Sequence, residues 1–346
     1  MDVLSDTLRV VRLSGAVFLN ARLTAPWAVA TASPSELASY LGLSSDCVAI
    51  FHILVQGQCW FSLPGHPPVL AREGDAILLP HNPPHVVSSE HGVPPVPMVS
   101  VMPPLPPGGY VVLGDDRLGE TSQFLCGFLH CDQRFNPLLS ALPDLMVVHP
   151  DVAQAERATP GAATSHVGAA PITLNIQPQE WLATTIRHTV EESRDERPGA
   201  MDMLARLSEL LFVEIVRRYM QQLPDGHPGW LAGVRDPVVG QTLGLLHAHP
   251  EYAWTVEELA QAVAVSRSSL ADRFTALIGE APMRYLAAWR MHLAQSLLKQ
   301  TSLSLGEVAA RVGYDSDVAF NRAFKRHVGQ PPATWRAAAL EAQIGG

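Results

Sequence analysis

The sequence predicts an α+β chain with a β-rich amino-terminal region and an all-α carboxy-terminal region. Residues 8–112 contain many short apolar stretches separated by turn residues, a pattern typical of a small β-barrel or sandwich. Residues 256–285 and 306–335 repeat one helical pattern at an offset of 50 positions. A repeat of this length indicates one supersecondary unit that is used twice.

Length and composition bound the class of protein. A chain of 346 residues with 47% apolar content is large enough for two cores. No run approaches the roughly 20 apolar residues of a membrane helix. The amino terminus lacks the basic and apolar segments of a signal peptide. We therefore expect a cytoplasmic protein that has no membrane partner.

The amino-terminal strands are punctuated by glycine turns. VAIFHILVQG and QCWFSLPG flank Gly57, and two further strands flank Gly74 and Asp75. These turns predict two hairpins. The proline-rich run 94–107 predicts loop or edge structure, because proline removes donors from a strand ladder. In QCWFSL, strand alternation places Cys59 and Phe61 on one face and Trp60 on the other.

Helices follow this region. Residues 153–170 are small, polar and patternless, which predicts a linker loop. An amphipathic helix is predicted over 181–199. The apolar helix after it has a wide face that fits either a dimer contact or packing on the barrel. Residues 224–236 predict a hinge.

Each copy of the repeat predicts two helices around a tight turn. In the first copy, Thr255 and Glu258 form a capping-box pattern, Ser266 caps the second helix and Gly279 ends it. In the second copy Gly313 makes the turn. The matched pairs at the offset of 50 are Glu257 and Glu307, Ala260 and Ala310, Ser266 and Ser316, Phe274 and Phe324, Gly279 and Gly329, and Pro282 and Pro332.

A short helix, a tight turn and a second helix with a polar outer face predict a helix-turn-helix, whose second helix fits the major groove of B-DNA. A generic helical bundle is the alternative. Against it, the outer faces carry groups that contact bases and phosphates. The candidate DNA-binding residues are Arg267, Ser268, Asp272, Arg273, Asp317, Asn321, Arg322, Lys325 and Arg326.

A continuous helical pattern over 283–300 joins the two copies. It would hold the two recognition helices apart at one separation. Successive major grooves lie roughly 34 Å apart, so we expect one chain to read two adjacent groove segments. Residues 236–346 carry ten basic and ten acidic side chains, so the net charge of −9 belongs to residues 1–235. Non-specific DNA binding should therefore be weak and salt-sensitive.

The carboxy-terminal stretches LSLGEVAARV and GYDSDVAFNRAFKRHVGQPPATWR resemble the signature of the AraC family of bacterial transcription regulators. Upstream, FHILVQGQCWFSL, REGDAILLPHNPPHVV and CGFLHCDQRFNPLLSALPDLMVV are similar to an AraC subgroup with a cupin-like β-barrel. The resemblance implies a sequence-specific regulator, an activator, with promoter DNA, RNA polymerase, a small-molecule effector and a second copy of the chain as partners. The implied domains are a cupin-like sensor barrel (1–150), a linker loop (151–180), a helical connector for dimerisation (181–235) and a double helix-turn-helix domain (236–340).

The stretch from Gly74 to His85 is similar to the second cupin motif, with Asn82 where the motif has glycine. The first motif of cupin enzymes supplies two histidines and a glutamate, but here only His52 lies in that region. We therefore expect no enzyme; the alternative is a metal-dependent cupin enzyme fused to a DNA-binding domain. The candidate effector-binding residues are His52, Trp60, His81 and His85.

Three of these side chains, His52, His81 and His85, could converge on a divalent metal ion, since neutral imidazoles are good ligands for transition metals. Capping of loops is the alternative. The four cysteines are too irregularly spaced for a zinc knuckle. In a cytosolic protein such thiols are usually free and buried. Because some members of the family sense oxidants, Cys126 and Cys131 are redox candidates, a role that needs a lowered pKa and access to solvent.

Overall fold

The structure, a computed structural model, describes residues 2–11, 14–43, 47–106, 110–114, 118–130, 137–149, 171–175, 180–194, 198–224 and 227–344. Its contacts divide the chain into two compact units. The β unit spans Leu13–Phe135 and Leu142–Gln221, and the helical unit spans Met1–Arg12, Asn136–Ala141 and Gln222–Gly346. The predicted α+β class is confirmed, with strands in the β unit and helices in the helical unit.

Two sheets enclose the apolar core of the β unit. The strands are β1 (Ser14–Thr24), β2 (Ala28–Ala30), β3 (Val48–Gln56), β4 (Gln58–Ser62), β5 (Val69–Arg72), β6 (Ala76–Leu79), β7 (Val86–Ser88), β8 (Val96–Pro97), β9 (Val111–Gly114), β10 (Thr121–His130), β11 (Met146–His149) and β12 (Ile172–Asn175). The strand orders are β12-β11-β6-β3-β10-β1-β9 and β5-β4-β7-β2-β8. Ile50 and Phe124 reach the core from the first sheet, and Phe61 and Val87 from the second.

The two predicted hairpins are wrong, although both predicted turns are present. Gly57 and Gly74 have φ angles of 77° and 88°, in the left-handed region that favours glycine. However, β3 and β4 belong to different sheets, and so do β5 and β6. Each turn therefore carries the chain from one sheet to the other. The proline-rich run does contribute the edge strand β8, as predicted.

The helices, in chain order, are α1 (Val3–Val11), α2 (Pro34–Tyr40), α3 (Met98–Val101), α4 (Pro137–Ser140), α5 (Trp181–Arg194), α6 (Ala200–Gln222), α7 (Trp230–Arg235), α8 (Pro237–Ala248), α9 (Val256–Ala262), α10 (Arg267–Ile278), α11 (Pro282–Gln300), α12 (Leu305–Arg311), α13 (Asp317–Val328) and α14 (Pro332–Ile344). The two helices predicted after residue 180 are present as α5 and α6. Most of the predicted linker, 151–180, lies outside the described residues.

Two parts of the helical unit differ from the sequence-based expectation. The predicted hinge, 224–236, contains α7, whose Trp230 and Leu231 are buried against α8 and α10. The glycines and prolines of this segment indicated a hinge, although it also contains these two large apolar side chains. At the amino terminus, where strands were predicted from residue 8 onwards, α1 extends to Val11 and packs against α8 and α11. Residues far apart in sequence therefore share one core.

The two helix-turn-helix copies are α9 with α10 and α12 with α13. Both capping boxes are present, Thr255 with Glu258 and Ser304 with Glu307. These boxes are 49 positions apart, whereas the caps of the second helices, Ser266 and Ser316, are 50 apart.

The predicted pairs Glu257 with Glu307 and Ala260 with Ala310 are therefore wrong by one position. Buried Ala260 matches buried Ala309, and Ala310 is exposed. The difference is one extra residue in the second turn, which places Ala264 and Gly313 at equivalent positions. Their φ angles are 56° and 78°.

This equivalence predicts unequal effects of two reciprocal substitutions. A Cβ at Gly313 would lie 2.7 Å from Glu251 O and 2.6 Å from Arg290 Nη2, so Gly313→Ala should destabilise the helical unit by about 1–3 kcal/mol. Ala264→Gly relieves left-handed strain but loosens the unfolded chain, so it should change stability by less than about 1 kcal/mol. Urea unfolding of both variants checks this; equal effects would contradict the assignment.

Candidate functional site

The orientation of α13 is set by its apolar side. Phe320 and Phe324 are fully buried, and their ring centroids lie 5.7 Å apart. The helix begins at its cap, Ser316, which accepts a hydrogen bond from Ala319 N. It ends at Gly329, which has a φ angle of 90°. The opposite side of α13 must therefore face outwards.

This outward side carries the predicted DNA-binding residues. Asp317, Arg322, Lys325 and Arg326 are exposed, and Asn321 is half-buried. Asn321 Nδ2 donates to Asp317 O at 2.7 Å, within the same helix. Arg322 and Lys325 form no salt bridge in the described part of the chain. Their positive charges are thus available to an external phosphate or base.

The matching helix, α10, presents less free positive charge. Arg267, Ser268, Asp272 and Arg273 are exposed, as predicted. Arg273, however, donates from Nε and Nη2 to Asp236 Oδ2, at 2.9 and 2.6 Å. The same carboxylate caps α8 by accepting from the backbone of Val238 and Val239. Burial favours a raised pKa for Asp236, but the hydrogen bonds from Val239 and Arg273 outweigh it and lower that pKa.

One helix, α11, positions both recognition helices. Its first half packs on the first helix-turn-helix copy, where the ring centroids of Tyr285 and Phe274 lie 5.8 Å apart. Its second half supplies Met291 and Leu298 to the core that contains Phe320 and Phe324. The uninterrupted helix predicted over 283–300 is confirmed as α11, whose 19 residues, Pro282–Gln300, span about 28 Å.

A buried chain of hydrogen bonds stabilises the first half of α11. Trp230 Nε1 donates to Tyr285 Oη at 3.0 Å, and this hydroxyl lies 2.8 Å from His247 Nε2. An indole can only donate, so the tyrosine oxygen accepts from Trp230. Burial lowers the pKa of His247 to about 3, which keeps the imidazole neutral and able to accept.

Within the β unit, His52 and Cys126 lie opposite each other on the paired strands β3 and β10. His52 Nδ1 is 2.8 Å from Cys126 Sγ, and both side chains are buried. Burial raises the pKa of Cys126 and lowers that of His52, so both groups are neutral. In this hydrogen bond either the thiol or Nδ1–H is the donor, according to the tautomer of His52.

A second buried imidazole, His85, lies beside His52, with ring centroids 5.8 Å apart. Its Nδ1 is 2.7 Å from Pro83 O, which can only accept, so Nδ1 carries the proton. Burial lowers the pKa of His85 to about 4. The departure from the cupin motif is also explained, because Asn82 has a φ angle of 43°, a region that asparagine tolerates better than most residues.

Three buried ring nitrogens in this core have no hydrogen-bond partner among the described residues: His52 Nε2, His85 Nε2 and Trp27 Nε1. Phe124 joins them, with its ring 5.6 Å from that of Trp27 and 6.4 Å from that of His52. Buried polar groups are nearly always hydrogen-bonded. This aromatic cluster, which we call the His52–His85 site, therefore has unused hydrogen-bonding capacity in the core.

The other proposed effector and metal residues lie elsewhere. Trp60 belongs to the outward side of β4, where its ring meets that of His91 at 4.0 Å, so it does not join the His52–His85 site. His81 is exposed, and its Nε2 is 3.1 Å from Leu142 O. No three histidine, cysteine or acidic side chains gather as a metal site in the described segments. Of the three predicted metal ligands, the structure thus brings only His52 and His85 together.

The cysteines differ in part from the expectation. Cys59 and Cys126 are free and buried, as expected. Cys47 is disulfide-bonded, which corrects the expectation of a free thiol there. Cys126 lacks both the lowered pKa and the solvent access that a redox sensor needs. The other redox candidate, Cys131, lies outside the described residues.

Comparisons with known proteins match both units. A cupin family model matches residues 2–165 and 157–221, and a helix-turn-helix domain model matches residues 259–338. A putative AraC-like transcription regulator of Streptomyces lividans is 31% identical, over 97% of this chain and 98% of the relative. The chain belongs to the AraC family of transcription regulators.

Two further relatives have similar coverage. The transcriptional regulator AlkR of Acinetobacter baylyi is 29% identical over 97% of this chain and 99% of its own. The RCS-specific transcriptional activator RclR of Escherichia coli is 24% identical over 97% of both chains. The crystal structure of the AdpA DNA-binding domain with a target DNA is 35% identical, covers 32% of this chain and 99% of that chain, and has a TM-score of 0.31.

This AraC-family protein is thus a DNA-binding transcription regulator with an amino-terminal cupin domain. Its relatives are transcription regulators and not enzymes, which confirms the expectation that the chain is not an enzyme. None of the described helices combines the length and apolarity of a membrane span.

The free charge on α13 predicts the effect of Arg322→Ala. Removing a guanidinium that contacts a base or phosphate should weaken DNA binding by about 1–3 kcal/mol, without loss of thermal stability. Fluorescence anisotropy with promoter DNA measures the affinity. Arg22→Ala, which removes an exposed arginine of β1, is the matched control. Equal affinities of the two variants would remove Arg322 from the interface.

The buried imidazoles predict a loss of stability in acid. An unfolded histidine has a pKa of about 6.5, whereas that of His85 in the folded chain is about 4. The unfolded state therefore binds more protons between these values, and stability falls as pH is lowered through this window. His85→Gln should reduce this slope by up to about 1.4 kcal/mol per pH unit. Denaturant midpoints at each pH test this; identical slopes would mean that His85 is not buried.

Proposed function

We propose that the chain is a sequence-specific activator whose cupin domain binds a small uncharged molecule at the His52–His85 site. The observation that carries this proposal is the set of unpartnered ring nitrogens buried in that core. Trp27 Nε1 is a donor, His85 Nε2 is an acceptor, and His52 Nε2 is one or the other according to its tautomer. A hydroxyl or amide group on an otherwise apolar molecule would complement them.

The choice of a small molecule over a metal or redox signal follows from the same geometry. Among the described residues no three histidine, cysteine or acidic side chains are placed to hold a metal ion, which favours a small molecule over a metal signal. The neutral, buried Cys126 is a poor target for oxidants. An ionised ligand would also lose its hydration without finding a countercharge in this cluster.

Activation and dimerisation are further parts of the proposal. The Escherichia coli relative RclR is a transcriptional activator, which favours activation by this chain as well. An activator of this kind would act in the cytoplasm with RNA polymerase as a partner. One face of α6 is buried within the β unit, yet Met203 and Leu210 on another face are 51% and 49% exposed. They are seven positions apart and so share a helical face, which favours a homodimer. Sedimentation of the Leu210→Glu variant tests this.

Effector binding should depend on His52 and not on Trp60. A thermal-shift screen of the full chain with uncharged alcohols, phenols and amides would identify ligands. His52→Phe keeps the aromatic packing but removes both ring nitrogens, so it should lose the shift in melting temperature while DNA binding persists. Trp60→Phe, on the outward side of β4, is the matched control.

The alternatives have distinct outcomes. A shift that survives in His52→Phe would place the ligand elsewhere. A shift that needs added divalent metal and disappears with a chelator would favour a metal signal. A response to oxidants that disappears in Cys126→Ser would favour a redox signal.

A further inference from the structure

Val318 lies in the first turn of α13, and its side chain is 61% exposed. Val318, Asn321, Arg322 and Lys325 are spaced i, i+3, i+4 and i+7, so they form one stripe along the outward side of the helix. We call this set the α13 stripe. Three of its members are polar or cationic, and Val318 is the apolar member.

The position of Val318 brings no evident benefit to the fold. A β-branched residue forms helix less readily than alanine. Two large apolar side chains are exposed in the described part of the helical unit, Tyr252 and Val318. The hydroxyl of Tyr252 donates a hydrogen bond to Glu258. Val318 has no such group. Its chemistry suits a partner that offers an apolar spot within a polar, anionic surface.

The major groove of DNA offers such a spot. Base edges present hydrogen-bonding groups, and the C5 methyl of thymine is the apolar group among them. The amino-terminal residues of a recognition helix are those that contact base edges. Arg322 and Lys325 on the same stripe supply the charge that phosphates attract.

We propose that Val318 is a specificity-determining residue that packs on the C5 methyl of a thymine in the major groove. The proposal rests on DNA recognition by the second helix-turn-helix copy. The matching position in α10, the second after the cap, is Ser268, an exposed hydroxyl. A hydroxyl hydrogen-bonds with several bases. The methyl contact therefore belongs to the half of the operator that α13 reads, and the two half-sites differ in sequence.

The test uses the full chain and DNA selected by it from a random double-stranded pool. Each thymine of the selected sequence is replaced in turn by deoxyuridine, which lacks only the C5 methyl. For the unmodified chain, one replacement should weaken binding about fourfold, the effect of one lost buried methyl group. For Val318→Ala, affinity for the thymine site should fall by a similar factor, and the same replacement should have no further effect.

The controls separate the possible failures. Val112→Ala removes the same atoms from a valine that is 69% exposed in the β unit, and it should retain the full sensitivity to deoxyuridine. Ser268→Ala should retain it as well. Sensitivity that persists in Val318→Ala, or selected DNA without any sensitive thymine, would overturn the role of Val318 alone. If the unmodified chain selects no sequence, sequence-specific recognition itself fails.

Discussion

The DNA-reading part of this protein depends on a single helix that belongs to two cores. Tyr285 and Trp289 of α11 lie in the first core, where the ring of Trp289 stacks on His247 at 3.8 Å. Met291 and Leu298 lie in the second core. Between them, Arg290 donates to Pro250 O and Tyr252 O and lies over the ring of Tyr314. One side chain therefore connects the loop before the first copy to the turn of the second. Because a continuous helix resists bending, α11 sets the separation and orientation of the two recognition helices, α10 and α13.

The two recognition helices are alike in architecture but not in chemistry. In α10, the charge of Arg273 is taken up by Asp236, which also caps α8. The remaining charges of Arg267 and Asp272 offset each other. In α13, Arg322 and Lys325 remain available. Electrostatic attraction to DNA should therefore come mainly from the second copy, even though the helical domain as a whole is nearly neutral.

The interior of the β unit shows how a buried site stays uncharged. Burial lowers the pKa of both His52 and His85 and raises that of Cys126, so no charge needs a buried counterion. The hydrogen bond to Pro83 O then decides that Nδ1 of His85 carries the proton. A neutral donor beside a neutral acceptor favours a neutral ligand.

The sequence by itself determined the local features of this protein. Caps such as Thr255 and Ser316, stops such as Gly329 and the inward Phe320 and Phe324 depend on contacts within a few residues, which a pattern reveals. The repeat was visible for the same reason. Its upstream pairs were matched at an offset of 50 instead of 49, because the turn at Gly313 contains one more residue than the turn of the first copy.

The tertiary structure alone decided the long-range relations. Strand β3 is buried on both faces, so no alternation in the sequence could show that it pairs with β10 and β6 rather than β4. Three contacts join segments that are far apart in sequence: Arg273 with Asp236, 37 positions away, His52 with His85, and α1 with α8 and α11. Such contacts depend on which helices and strands pack against each other in a core, and the spacing of residues within one segment does not determine this.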